Sequence, residues 1–263
     1  MRIKDQAICI RHFDWSETSQ VVALLTREHG KVRGLAKGSK RTSPGAVARF
    51  SGGIELLTLG QIVATTKPTT ELASLTEWDL QKPFSHLRSD LTAQRIGLYG
   101  ADLAGAILAD HDPHPAIFDA LSDLLAQLDL PRQHELALIR YQWLVLADCG
   151  YQPQLERDVH TDQLLADQST YTFDARAGGI TDHTRHGTTH EGAGPWRVRQ
   201  ETVQVLRRLA QGPVDNDRLA SPALRRANQL LCVYARSILD RALPTMAFVL
   251  NQESQGHRPK PNR

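Results

Sequence analysis

The feature that most constrains this chain is a change of hydrophobic period near residue 80. Before it, apolar residues come in short β-prone runs at 6–13, 19–26, 31–36, 54–59 and 61–66, punctuated by Gly30, Gly34 and Gly60. Five such runs, spaced by roughly ten residues, predict a small barrel or sandwich, and a five-stranded Greek-key barrel of the OB type fits the count. The run Val21 to Leu25 reads equally as one turn of buried helix. After residue 80 the period becomes helical. Leu80, Phe84, Leu87, Leu91, Ile96 and Leu98 can share one face, and further amphipathic segments are predicted over 117–128, 135–147, 196–210 and 222–242. Between them, 150–194 is poor in apolar residues and rich in Asp, Thr, His and Gly, so it reads as irregular, with one short hairpin around Tyr171–Phe173 and Gly179–Ile180.

Composition narrows the class. A chain of 263 residues with 41% hydrophobic residues can bury a sizeable core, and its length suggests just under two domains. Cys9, Cys149 and Cys232 are odd in number and widely spaced, so they form neither a disulfide framework nor a CxxC site. They read as buried core residues of a cytoplasmic protein. No segment approaches the ~18 consecutive apolar residues of a membrane span, and the first residues lack the pattern of a signal peptide. The tail over 252–263 is polar and proline-containing and is expected to be disordered.

The net charge of +2 conceals a local imbalance. Residues 1–80 carry eleven Lys or Arg against eight Asp or Glu. Arg27, Lys31, Arg33, Lys37, Lys40, Arg41 and Arg49 fall within one stretch that holds a single acid, Glu28. The alternation over 31–36 puts cations on one side of a strand, and Gly38 and Ser39 leave backbone amides open to a phosphate. On an OB-type barrel such a strand and loop is where a nucleic-acid backbone would run. The other reading is a solvated basic face that keeps a strand edge soluble. A P-loop is disfavoured, because Gly34-Leu-Ala-Lys-Gly38-Ser-Lys lacks the required spacing between glycines and a Ser43-Pro44-Gly45 loop follows it.

These residues also carry a resemblance. Ser16-Glu17-Thr18-Ser19, then Val22-Ala-Leu-Leu-Thr26-Arg-Glu-His-Gly30-Lys31, then Gly34-Leu-Ala-Lys37-Gly-Ser-Lys-Arg41, is similar to the N-terminal barrel of the RecO recombination mediator family. There an "E-x-S … LT-x-x-x-GK … AKG-x-R" pattern recurs. Glu55-Leu-Leu and Leu75 resemble later barrel strands. Leu146-Ala-Asp-Cys-Gly-Tyr-Gln-Pro-Gln-Leu155 resembles the segment before that family's zinc module. The resemblance implies an α+β chain: an N-terminal five-stranded OB-fold β-barrel over 1–80, then a C-terminal α-helical domain over 81–251 with an irregular, degenerate zinc-ribbon-like insertion at 150–194. It implies a non-enzymatic protein of DNA repair and homologous recombination. Such a protein binds single- and double-stranded DNA, anneals complementary strands, and with RecR loads RecA onto DNA coated by single-strand-binding protein. It needs no cofactor. Family members with the zinc module carry two Cys-x-x-Cys pairs, which would fall near Asp158 and Thr161 and near Asp182 and Arg185. None of these four is a cysteine, so no metal is expected and hydrogen bonds must hold the segment.

Other features have competing readings. His160, His183, His186 and His190 with Asp158, Asp162 and Asp182 could ligate a metal, as in a metal-dependent hydrolase, but nothing in their spacing anchors a site, and a polar surface loop is favoured. Trp143 and Trp196 read as core residues on helix faces, whereas Trp15, in a polar turn with Phe13 nearby, is a candidate to stack on unpaired bases or to meet a partner. Arg207, Arg225 and Arg226, among the other arginines of the last helices, are candidates for a groove that accepts an acidic, aromatic-ended peptide, such as the C-terminal tail of single-strand-binding protein. A protein–protein adaptor that bridges RecR and single-strand-binding protein, with weak DNA affinity, is the alternative function.

Overall fold

The alternation over 31–36 is the pattern around which the first part of the molecule is built. In the computed structural model, which describes residues 2–66, 70–182, 196–212 and 220–250, strand β3 (Gly30–Ala36) turns Val32, Gly34 and Ala36 inward and Lys31, Arg33 and Leu35 outward. With β1 (Arg2–Ser16), β2 (Ser19–Thr26), β4 (Leu59–Thr65) and β5 (Ala73–Lys82) it forms a closed barrel of order β1-β2-β3-β5-β4. The β3·β5 pairing is parallel and the others antiparallel, an OB-like arrangement that leaves no long free edge. Helix α1 (Pro44–Phe50) lies between β3 and β4. Its Phe50 joins Ile3, Cys9, Leu24, Val32, Ile62, Leu75 and Trp78 in one buried cluster. Each such aliphatic or aromatic side chain contributes about 1.5–3 kcal/mol by leaving water.

Three expectations about the barrel need correction. The run 54–59 is not a strand: only Leu59 enters β4, and Ile54 and Leu57 are both buried in the loop before it. That loop is bonded to β1 through Leu57 N–H to the Cys9 carbonyl (2.8 Å) and Cys9 N–H to the Thr58 carbonyl (3.0 Å). The fifth strand is β5, whose buried residues Leu75 and Trp78 are three apart and so break a period of two. A register shift between Val63 and Ala64 lets both face the core. Leu80 belongs to this strand and is largely exposed, so it is no part of a helical face. Val21 to Leu25 is strand.

The chain divides into two compact units, Met1–His134 and Glu135–Arg263. The first contains the barrel, α2 (Leu91–Ile107) and α3 (Pro115–Gln127). Asp90 starts α2 by accepting the Thr92 and Ala93 amides at 2.8 and 3.0 Å, and Pro115 opens α3. The second unit contains α4 (His134–Asp148, from its second residue), α5 (Gln200–Gln211), α6 (Ser221–Leu239), α7 (Ala247–Leu250) and a sheet of order β7-β6-β8. The expected hairpin is β6 (Thr170–Asp174) with β7 (Gly179–Thr181). Its third strand, β8 (Trp196–Arg199), replaces the first turn of the helix expected from residue 196. Trp196 is therefore a strand residue, stacked on Phe173 with centroids 5.9 Å apart. Trp143, Cys9 and Cys232 are buried as expected; Cys149 is only half-buried. Burial pushes the Cys9 thiol up to about 12, away from the reactive thiolate form. No helix among the described residues is long and apolar enough to cross a membrane. The tail at 252–263 lies outside the described residues.

Candidate nucleic-acid interface

Two turns of the barrel place the basic residues. In the first, between β2 and β3, Thr26 is fully buried; its hydroxyl donates to the Gly30 carbonyl (2.7 Å) and accepts the His29 amide (3.2 Å). Gly30 has φ of +68°, and a Cβ there would lie 2.3 Å from the Asp112 carbonyl oxygen. The next residue, Lys31, reaches the end of α2, where its ammonium donates to the carbonyls of Gly105 and Leu108, both at 2.8 Å, and pairs with Asp110 at 3.2 Å. These carbonyls belong to the last turn of the helix and to its cap, where a cation is favoured.

The second turn, between β3 and α1, is pinned from below by Gln20. Its side-chain carbonyl accepts the Ser39 hydroxyl (2.9 Å) and the Ile54 amide (3.0 Å), while its amide nitrogen donates to the Ile54 carbonyl (3.1 Å). Gln20 and Ser39 are buried, so this network specifies one loop conformation. The loop is also bonded to the β1–β2 turn: the Gly38 amide donates to the Ser19 hydroxyl (3.1 Å) and the Lys40 amide to the Thr18 carbonyl (3.1 Å).

The seven candidate cations divide accordingly. Arg27 forms a bidentate pair with Asp119 (3.0 and 2.8 Å) and a bond to Glu28; Arg33 pairs with Asp110 at 3.1 Å. With Lys31, these three fasten the barrel to α2, to α3 and to the segment between them. Lys37 and Arg41 are exposed, and their side chains make no hydrogen bond or ion pair among the described residues. Lys40 meets Asp14 at 2.9 Å, an exposed pair worth little in water. The Lys40 ammonium holds the Asp14 carboxyl below its ordinary range, mainly through that hydrogen bond. Arg49, on the exposed face of α1, donates to the Gly45 carbonyl and lies over the Phe50 ring.

The arginines of the second unit are also sorted by their partners. Arg207 donates twice to the Leu155 carbonyl (2.9 and 2.7 Å) and lies over the Tyr171 ring. Arg225 pairs with Glu135 at 3.2 Å. Arg226, bonded to Glu201 at 2.6 Å, lines a cleft with a volume of about 410 Å3, which neither Arg207 nor Arg225 lines. The cleft is bounded by Trp196, Arg197, Val198 and Arg199 of β8, Thr202 of α5, and Gln229, Leu230, Val233 and Arg236 of α6. Arg197, Arg199 and Arg236 are among the other arginines of the last helices considered from sequence for such a groove, though not the three favoured for it. The alternation of Arg197 and Arg199 about Val198 belongs to a strand rather than to the helix expected there.

In the segment after α4, Asp158 is buried and acts as a hub. Its carboxylate accepts the His160 amide (2.8 Å), the Thr161 amide (3.1 Å), the Thr181 hydroxyl (2.7 Å) and the Asp182 amide (2.8 Å). Burial alone would push this carboxyl up; the four hydrogen bonds outweigh it and hold it well below the ordinary carboxylate range. A carboxylate so occupied does not fit a structural zinc site, and among the described residues no three His, Cys, Asp or Glu side chains are grouped to hold a metal. His160 instead meets Asp174 at 3.1 Å. His183, His186 and His190 lie outside the described residues.

With this geometry in view, the similarity to known proteins is informative. A family model described as recombination protein O N terminal matches residues 1–84, and one described as recombination protein O C terminal matches residues 88–247. A DNA repair protein RecO of Anaeromyxobacter dehalogenans (strain 2CP-C) is 28% identical over 94% of this chain and 96% of its own length. The corresponding protein of Myxococcus xanthus is 30% identical over 94% of this chain and 97% of its own length, and that of Bacillus subtilis 25% identical over 98% and 97%. The two models leave only residues 85–87 and 248–263 unmatched, and the chain belongs to the RecO family of DNA repair and recombination proteins.

Proposed function

We propose that this chain binds single- and double-stranded DNA, anneals complementary strands, and with RecR loads RecA onto DNA coated by single-strand-binding protein. The observation that carries the DNA-binding step is the loop Lys37 to Arg41. It is fixed by the buried Gln20–Ser39 pair, and it presents two cations without partners among the described residues and a third, Lys40, held only by an exposed carboxylate. Phosphates displace Asp14 from Lys40 and lower the repulsion between two strands, a task that requires no catalytic acid, base or nucleophile. Lys37, Lys40 and Arg41, flanked by Arg49, are the phosphate-facing residues in this reading; Arg27, Lys31 and Arg33 act structurally. The test is a salt titration of binding. Replacing Lys37, Lys40 and Arg41 together with alanine is expected to weaken duplex binding and to flatten the slope of log K against log salt by about 2.7, at roughly 0.9 per phosphate contact. Binding like that of the unchanged protein would remove this site.

The cleft of the second unit supports a partner role alongside. Its lining combines apolar Val198, Leu230 and Val233 with Arg197, Arg199 and Arg236, which suits an acidic peptide ending in an aromatic residue, and we assign the tail of single-strand-binding protein to it. Arg236→Glu is expected to weaken such a peptide by tenfold or more in fluorescence anisotropy, because an attractive charge at the cleft is replaced by a repulsive one. If the loop variant still promotes annealing of coated strands while Arg236→Glu does not, the adaptor function is the correct one. The segment at 150–194 is, in this reading, the counterpart of the family's zinc module with a carboxylate hub in place of the metal.

A further inference from the structure

The β1–β2 hairpin extends beyond the barrel, and all six residues from Arg11 to Ser16 are exposed. Two of them are large aromatics, Phe13 at 60% and Trp15 at 69% exposure. Phe13 is paired with Val21; Asp14 then pairs with Gln20 and Ser16 with Ser19, so Trp15 is the extra residue of a bulge. A bulge re-aims its side chain out of the regular alternation. The hairpin is not loosely held. Gln20, opposite Asp14, is the buried hub of the basic loop, and three bonds tie hairpin to loop: Lys40 Nζ to Asp14, the Lys40 amide to Thr18 and the Gly38 amide to Ser19. The hairpin that carries the two exposed rings and the loop that carries Lys37, Lys40 and Arg41 are therefore braced against each other. The other exposed residues of the hairpin, Arg11, His12, Asp14, Ser16 and Glu17, are polar. The aliphatic neighbours in the row across the sheet from Phe13, Val21 and Leu35, are half-buried, so the rings are the most exposed apolar groups of the hairpin, and exposed rings near cations suit unpaired bases on a phosphate backbone.

We propose that Phe13 and Trp15 form a base-stacking platform that gives this protein its preferential grip on unpaired strands, the neighbouring loop holding the backbone. Duplex bases are already stacked on one another and offer no face to these rings, so the platform discriminates single strands from duplex, which the loop cations alone do not. The inference rests on the loop being the DNA-binding face.

Fluorescence provides the test. Trp78 and Trp143 are buried and Trp196 is stacked on Phe173, whereas Trp15 is open to solvent. Adding an oligothymidylate of about 12 nucleotides should quench the emission of the intact chain, and Trp15→Phe should abolish most of that quenching while keeping the affinity within about twofold. Trp15→Ala should weaken oligothymidylate binding by about tenfold and duplex binding by less than twofold. Both variants change an exposed side chain, and an unchanged thermal transition confirms that they fold. If Trp15→Ala binds the single strand normally, or loses both forms of DNA equally, the platform is refuted; the same holds if it binds DNA normally but changes the sedimentation of the free protein, which would assign the rings to self-association. The Lys37, Lys40 and Arg41 variant separates the two levels. Normal binding of both DNA forms by that variant overturns the loop reading, whereas its loss with normal binding by Trp15→Ala overturns only the platform.

Discussion

Replacing Gly30 with alanine should destabilise the first unit by about 2–5 kcal/mol. About 1–2 kcal/mol comes from forcing a side chain into the left-handed region at φ +68°, and about 1–3 kcal/mol from overpacking against the Asp112 backbone. The obstacle is a carbonyl 2.3 Å from the new Cβ, so no side-chain rotation relieves it. Relief requires β3 to draw away from the segment after α2, which also pulls Lys31 from the carbonyls of Gly105 and Leu108. Since a domain's total stability is about 5–15 kcal/mol, the loss is a large share of it. Gly52→Ala is the control. It has φ of +85° but nothing within 4 Å of the added atom, so only the conformational part should appear. Urea unfolding followed by amide exchange at residues 26–36 and 105–112 measures both. Equal losses in the two variants would show that the close approach to Asp112 contributes nothing.

The second large effect is expected at Asp158. Alanine there leaves the Thr181 hydroxyl and the His160, Thr161 and Asp182 amides without their acceptor, and breaking so buried a charged network costs about 3–5 kcal/mol. Asparagine keeps one acceptor oxygen and should cost less. The carboxyl also gives the segment a pH dependence of defined sign. Its pKa in the folded chain is lowered from the ordinary 3.8, so the unfolded chain binds the proton more readily. The stabilisation is complete above that unfolded value and is lost as pH falls from about 5 toward the folded value. Urea midpoints of the second unit should therefore fall steeply in acid for the intact chain and less steeply for Asp158→Ala. Parallel curves would exclude the carboxylate as the fastening group.

How far the sequence leads depends on whether a signal is local. The inward alternation of Val32, Gly34 and Ala36 is local, and β2 and β3 are legible to within a residue. Strand β5 is not, because a bulge moves Leu75 and Trp78 off the period of two. Helix α1 hides behind Ser43-Pro44-Gly45, which reads as a turn but also begins a helix with proline in its first turn. The cation cluster was visible as charge. Which of its members are available was not, since the acids that occupy Arg27 and Arg33 lie far along the chain; Asp119 is 92 positions from Arg27. The missing cysteines at 158, 161, 182 and 185 suggest a segment held by hydrogen bonds, and the Asp158 carboxylate accepts such bonds from His160, Thr161, Thr181 and Asp182. That one carboxylate gathers four donors is a tertiary fact with no sequence signature beyond the Asp itself.

The hub at Asp158 has a chemical consequence for a protein of DNA repair. Peroxides and metal chelators dismantle a cysteine-bound zinc module by oxidising its thiolates or withdrawing its ion. A carboxylate bonded to amides and a hydroxyl offers neither target, and the thiols of Cys9 and Cys232 are shielded in the core. At this hub the oxidative conditions that damage DNA find no thiolate to oxidise, and the half-buried Cys149 is the more accessible of the two thiols in the second unit.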